Sequence, residues 1–141
     1  SVKQVVSWTK QNMESSGQNN IRWIVEDARK FVSKEVKRGN LYNGIIMDPP
    51  AFGRGANGED WKLERDLNAL LKDVEKILDK NRYFFILNTY SLGFSDSILE
   101  DLVNEIFKNH KAPKEFGELY LEDDFKKKLP LGVIARFTNL K

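Results

Sequence analysis

Three polar residues stand where apolar runs stop. Asp27 closes "IVED", Asp48 closes "IIMD" and Asn88 closes "FILN". In open α/β sheets, ligands bind beyond the carboxyl ends of the strands, so three such residues on one rim make a candidate site. A polar residue after a strand also serves as a helix cap or turn former. For Asp27 and Asn88 both uses stand open.

Asp48-Pro49-Pro50 is the sharper signal. Each proline fixes its own φ and biases its predecessor toward extended backbone, which makes a stiff elbow. Proline donates no N–H, so the carbonyls of the elbow are expected to face outward as acceptors. With the Asp48 carboxylate they suit a flat group that donates hydrogen bonds, such as an exocyclic amine. Phe52 follows, and its ring can stack on a nucleobase. Gly53, Gly55 and Gly58 come next and are expected to leave a mobile, lid-like segment. Arg54 within it is placed to touch a phosphate. The alternative is a stiff surface turn with Phe52 tucked into the core.

Alternating elements position these residues. Val2, Val5, Val6, Thr9 and Met13 recur at helical spacing. Ile21 to Val25 reads as a strand, and Asp27 as the N-cap of a helix through Val36 that Gly39-Asn40 stops. Tyr42 to Met47 reads as a strand. Leu63 to Leu78 carries the clearest amphipathic helix. Tyr83 to Leu87 is continuously apolar, as in a strand covered on both faces. Ser95 to Asn109 is helical, and Glu115 to Leu121 and Gly132 to Phe137 are strands around the polar "EDDFKKKLP". The order predicts an α/β fold with a mostly parallel sheet and an antiparallel C-terminal hairpin at one edge.

The bulk composition narrows the chemistry. The 141 residues suit one domain, and 40% hydrophobic with 31% charged residues suits a globular one. There is no cysteine and one histidine, His110. Thiolate metal sites and cysteine nucleophiles are therefore absent from this chain, and a triad or zinc centre would have to rest on His110 alone. We expect no metal. No apolar run reaches the ~20 residues of a membrane span, and the N-terminus lacks a secretory pattern. The expected location is cytoplasmic. The net charge of +2, from 23 basic and 21 acidic residues, does not announce a nucleic-acid binder. Lys34, Lys37 and Arg38, and the run Lys126 to Lys128, are either RNA contacts or solvated faces.

The stretch "IRWIVEDARKF … YNGIIMDPPAFGRG … FFILNTYSLGFS" resembles the class I S-adenosylmethionine-dependent methyltransferases, in particular a bacterial branch grouped with the rRNA large-subunit methyltransferases. "DPPAF" is similar to their motif of Asp/Asn-Pro-Pro-aromatic. The resemblance implies a Rossmann-like methyltransferase sheet, S-adenosylmethionine as cofactor and an RNA substrate. It implies that Asp27 meets the adenine amine and that the Ala28 backbone N–H meets the adenine ring. Asp48, Pro49 and Pro50 then form the catalytic elbow, with Asp48 also beside the cofactor. Phe52 packs near the target base, and Asn88, Thr89 and Tyr90 shape the far wall of the substrate pocket.

The family sheet order is 3-2-1-4-5-7-6. This sequence shows neither the first strand with its glycine-rich cofactor loop nor the second strand with its ribose-binding acid. Residues 1–141 are thus expected to be the C-terminal portion of a methyltransferase domain, lacking the first two strands. Such a chain alone is expected to be inactive, and its open sheet edges invite a homo-oligomer or a swapped assembly. A non-catalytic RNA-binding or protein-interaction module is the alternative. Without a cysteine to activate a pyrimidine carbon, an amine, ring nitrogen or ribose oxygen is the expected methyl acceptor.

Overall fold

The computed structural model describes residues 3–55, 58–90 and 95–140. Val2 of the first helical pattern, residues 56–57 of the glycine-bearing segment and residues 91–94 of the stretch after Tyr90 lie outside them. The elements run α1 (Lys3–Ser15), α2 (Ala28–Arg38), β1 (Gly44–Met47), β2 (Phe52–Arg54), β3 (Asp60–Lys62), α3 (Leu63–Ile77), β4 (Phe84–Thr89), α4 (Asp96–Ile106), β5 (Lys114–Glu122) and β6 (Lys128–Thr138).

Four strands form one sheet in the order β1-β4-β6-β5. β1 and β4 are parallel, with Met47 opposite Leu87 at their carboxyl ends. β6 runs antiparallel to β4 and pairs along its other edge with β5, the C-terminal hairpin the sequence predicted. In family terms this is the side 4-5-7-6 of the expected sheet. The hairpin is longer than expected. Much of "EDDFKKKLP" continues the two strands, and Asp123 Oδ1 closes the turn by accepting the backbone N–H groups of Phe125 and Lys127.

The amphipathic helix α3 supplies one wall of the core. Leu63, Leu67, Leu70, Leu71, Val74 and Ile77 are all buried along it. Each such side chain contributes about 1.5–3 kcal/mol over its exposed state. Phe85 of β4, Phe107 after α4 and Phe137 of β6 pack together beneath it, with ring centroids 4.7–5.3 Å apart. α2 begins at Ala28 with Asp27 as its N-cap and ends on Gly39, which adopts φ +67°. Glu35, buried on α2, accepts from Arg38, Asn40 and the Tyr42 hydroxyl, which ties the end of the helix to the start of β1.

Two expectations are corrected. Residues 21–25 form no strand. In the expected order two strands lie between that strand and β1, so no described strand offers it a ladder, and Ile21, Ile24 and Val25 remain exposed. Around the glycines, where the sequence suggested only a lid-like segment, there is regular structure. β2 and β3 pair antiparallel as a small hairpin, with Gly53 opposite Trp61. The first helix forms as predicted, but none of its residues is buried, and Val5 and Trp8 face outward.

Candidate active site

The elbow leaves β1 at its carboxyl end, beside the end of β4. Asn88 of β4 donates from Nδ2 to Asp48 Oδ1 at 2.9 Å. The parallel register of β1 and β4 brings these two side chains together although they are forty positions apart. Asn88 Oδ1 is buried and has no hydrogen-bond partner among the described residues. It faces Gly132 of β6, where an added Cβ would lie 3.4 Å away.

Two recesses meet at Asp48-Pro49-Pro50. The first is a cleft of about 420 Å³ with an apolar floor that includes Met47 and Leu70. One wall is the start of α2, from Glu26 to Arg29, and the other is the β2–β3 hairpin through Arg54, Glu59 and Trp61. The second recess, also about 420 Å³, lies between the elbow, Phe52 and Tyr90. Phe52 is 79% exposed and Tyr90 67%. Phe52 is therefore no core residue, and the elbow separates two places where planar ligands could sit.

Asp27 caps a helix and borders the cleft. Oδ1 caps α2 by accepting the Lys30 N–H at 3.2 Å, and the side chain also lines the cleft. The N–H groups of Ala28 and Arg29 belong to the first helical turn, whose donors have no intrahelical acceptor. They are available to a ligand in the cleft. Arg29, which the sequence reading passed over, stands at the centre of this wall. Its Nε is 3.5 Å from Asp27 Oδ1, and its guanidinium lies 5.7 Å from the Trp61 ring centroid. Lys30 also pairs with Glu59 across the cleft mouth.

The outward-facing carbonyls need correction. Trp61 Nε1 donates to the Pro50 carbonyl at 2.7 Å, and the Leu63 N–H donates to the Ala51 carbonyl at 2.8 Å. Two acceptors are thus committed to holding the elbow's shape. Asp48, its Oδ1 held by Asn88, and Pro49 line the cleft. No pattern in the sequence marked Trp61, because its partner is a backbone atom eleven positions away.

Asp27, Ala28, Asp48, Pro49, Pro50 and Arg54 line the cleft, and Phe52 and Tyr90 line the second recess beside the same elbow. Asn88 touches Asp48 from the strand behind. Thr89 turns instead into the core and is fully buried. His110 lies at the opposite end of β4, edge-on to Tyr83 with ring centroids 4.7 Å apart. Burial holds its pKa below the ordinary value. The basic groups are largely committed within the chain: Lys34 to Glu26, Arg38 to Glu35, Lys126 to Glu122, and Lys128 over the Tyr120 ring. The tip of the long hairpin is accordingly a mixed-charge surface.

No family model and no curated protein matches the chain. Solved structures do. Over 99% of its length the chain superimposes on a SAM-dependent methyltransferase from Agrobacterium tumefaciens, with 32% identity and a TM-score of 0.90, covering 47% of that protein. A methyltransferase complexed with SAH shares the fold at 20% identity and a TM-score of 0.72, over 97% of this chain and 36% of that one. A SAM-dependent methyltransferase from Streptococcus mutans does so at 19% identity and a TM-score of 0.69, over 97% and 36%. The chain has the Rossmann-like fold of the class I S-adenosylmethionine-dependent methyltransferases. It spans less than half the length of each of these three proteins, and with the Agrobacterium enzyme it shares sequence as well as fold.

Proposed function

We propose that this chain is the substrate-side portion of an S-adenosylmethionine-dependent methyltransferase that acts on RNA, ribosomal RNA in particular. The observation that carries the reading is the elbow as a shared wall between two recesses. Methyl transfer needs a donor and an acceptor in line at one point, and the main catalytic task is to hold them there without water between.

The first recess fits the adenosyl part of the cofactor. Asp27 accepts from an exocyclic amine, and the Ala28 N–H, free of helical bonding, meets a ring nitrogen. Bound there, S-adenosylmethionine supplies a methyl carbon activated by its sulfonium. Phe52 and Tyr90 present exposed rings to a planar base on the far side of the elbow. Asp48, held by Asn88, accepts a hydrogen from the attacking nitrogen or oxygen and turns its lone pair toward the methyl carbon. The new bond forms as the carbon–sulfur bond breaks, and the surplus proton leaves through Asp48 to solvent. Arg54 at the cleft mouth suits a phosphate. RNA as substrate rests on the resemblance to the rRNA branch together with the exposed rings of Phe52 and Tyr90, and a cytoplasmic location is part of the same proposal.

The free edge of β1 and the exposed apolar side of α1 support completion of the sheet by further strands, from the same polypeptide or a second copy. We therefore expect this chain alone to be inactive. The test is methyl transfer from labelled S-adenosylmethionine to ribosomal RNA by the full-length protein. Asp48→Ala is expected to lower turnover by two or more orders of magnitude while calorimetry finds SAH affinity nearly unchanged. Unchanged turnover removes Asp48 from the mechanism, and a full-length protein that binds no SAH ends the reading.

A further inference from the structure

We infer that Trp61 is a positioning residue that couples the cofactor side of the cleft to the methyl-acceptor elbow. The inference rests on the methyltransferase reading above. Four groups form a continuous path across the cleft wall: the Asp27 carboxylate, the Arg29 guanidinium, the Trp61 indole and the Pro50 carbonyl. The steps are 3.5 Å from Arg29 Nε to Asp27 Oδ1, 5.7 Å from the guanidinium to the indole centroid, and 2.7 Å from indole Nε1 to Pro50 O.

Each step has a physical consequence. Pro50 has no N–H, and its ring fixes its own φ but not its ψ, so the carbonyl plane after it can still swing. The indole N–H removes that freedom by fixing the oxygen. The Leu63 N–H on Ala51 O fixes the next peptide, so the junction of β3 and α3 grips the elbow at two successive carbonyls. Trp61 cannot shift alone. It lies opposite Gly53 in the hairpin, packs against the core, and has a guanidinium on its face. A cation over an indole face is attracted by the ring quadrupole. Arg29 is also held by the Asp60 carbonyl at 3.3 Å, one residue before Trp61. A ligand amine that engages Asp27 competes with Arg29 for the same carboxylate. The Asp66 carboxylate, 3.7 Å from Arg29 Nη1, and the Asp60 carbonyl then keep the guanidinium over the indole, so its shift is passed to the indole and from there to the elbow beside Asp48. Occupancy of the cofactor recess thereby sets the elbow for the acceptor.

The test is a double-mutant cycle in the full-length protein, with kcat expressed per SAH-binding site titrated by calorimetry, so that unfolded molecules do not count. Trp61→Phe keeps a ring under Arg29 and deletes the donor. Expected are a kcat roughly tenfold lower, the scale of one hydrogen bond, and an SAH affinity within twofold of the parent. Arg29→Gln, a change at the partly exposed cleft wall, removes the competitor for the Asp27 carboxylate, so it is expected to tighten SAH binding several-fold while lowering kcat. In the Trp61→Phe background the effect of Arg29→Gln on kcat should shrink to less than a third, because the path is already cut. An unchanged kcat in Trp61→Phe, or equal factors for Arg29→Gln in both backgrounds, overturns the inference while leaving the methyltransferase reading intact. A parent protein that binds no SAH defeats both.

Discussion

Gly132 is a position where one added carbon meets both a strained backbone and a close backbone neighbour. It lies in β6 against the carboxyl end of β4, with φ +125°, a conformation side-chain-bearing residues rarely adopt. A Cβ there would sit 2.4 Å from the Thr89 carbonyl oxygen, where real contacts do not fall below 3.0 Å. The two backbones must separate by 3.0 less 2.4, or 0.6 Å. That is overpacking, at about 1–3 kcal/mol, on top of about 1–3 kcal/mol for the backbone conformation. Allowing for partial relaxation, Gly132→Ala should lose about 3 kcal/mol. In urea, with m near 2 kcal/mol/M, the unfolding midpoint followed by circular dichroism falls by about 1.5 M. Gly117→Ala is the control, since a Cβ there meets nothing within 4 Å and its φ carries no strain. Asn88 is the neighbour that holds Asp48, so turnover should fall even where Gly132→Ala is folded. If Gly132→Ala and Gly117→Ala unfold at the same urea concentration, the close approach at the site rim is not as described.

Two further expectations concern the rim and the acid response. Phe52→Ala should leave stability within about 0.5 kcal/mol, because the ring is 79% exposed. It should raise KM for ribosomal RNA by the value of one stacked base, about 1–3 kcal/mol, with SAH affinity constant; an unchanged KM would remove Phe52 from the acceptor site. Stability should also fall with acid in two stages. Burial depresses the His110 pKa, so the unfolded chain binds more protons just below its ordinary value of 6.5, and stability declines as pH drops through that value. The hydrogen bonds from Tyr42, Asn40 and Arg38 hold Glu35 at about 2, so its contribution is complete above 4.5 and lost as pH falls toward 2. Urea midpoints at pH 7.5, 5.5 and 3.5 test this, and a midpoint independent of pH between 7.5 and 5.5 contradicts the first stage.

What the sequence revealed and what it hid follow from the range of the interactions. The Asp27 cap, the Gly39 stop and the buried stripe of α3 are set by neighbours a few positions away, so local pattern finds them. The elbow is legible for the same reason, since two prolines and an aromatic act within five residues. The Ile21 to Val25 strand failed because alternation shows only that a segment could pair. A ladder needs a second strand, and no described strand stands beside it. The β2–β3 hairpin was missed because its glycines were read as freedom, while its three-residue strands are too short for a periodic signal. Trp61 and Arg29 escaped notice because their partners are a carbonyl and a ring brought near by the tertiary fold.

The hydrogen bond between Asn88 and Asp48 spans a loop of forty residues that contains all of α3. Closing a loop of that length carries an entropic penalty that must be met before any of its contacts form. The bond from Asn88 to Asp48 therefore follows the parallel pairing of β1 with β4, whereas the grips of Trp61 and Leu63 on the elbow are local and need no such closure. During folding the carboxylate at the elbow should gain its amide partner late, with the docking of that one strand pair.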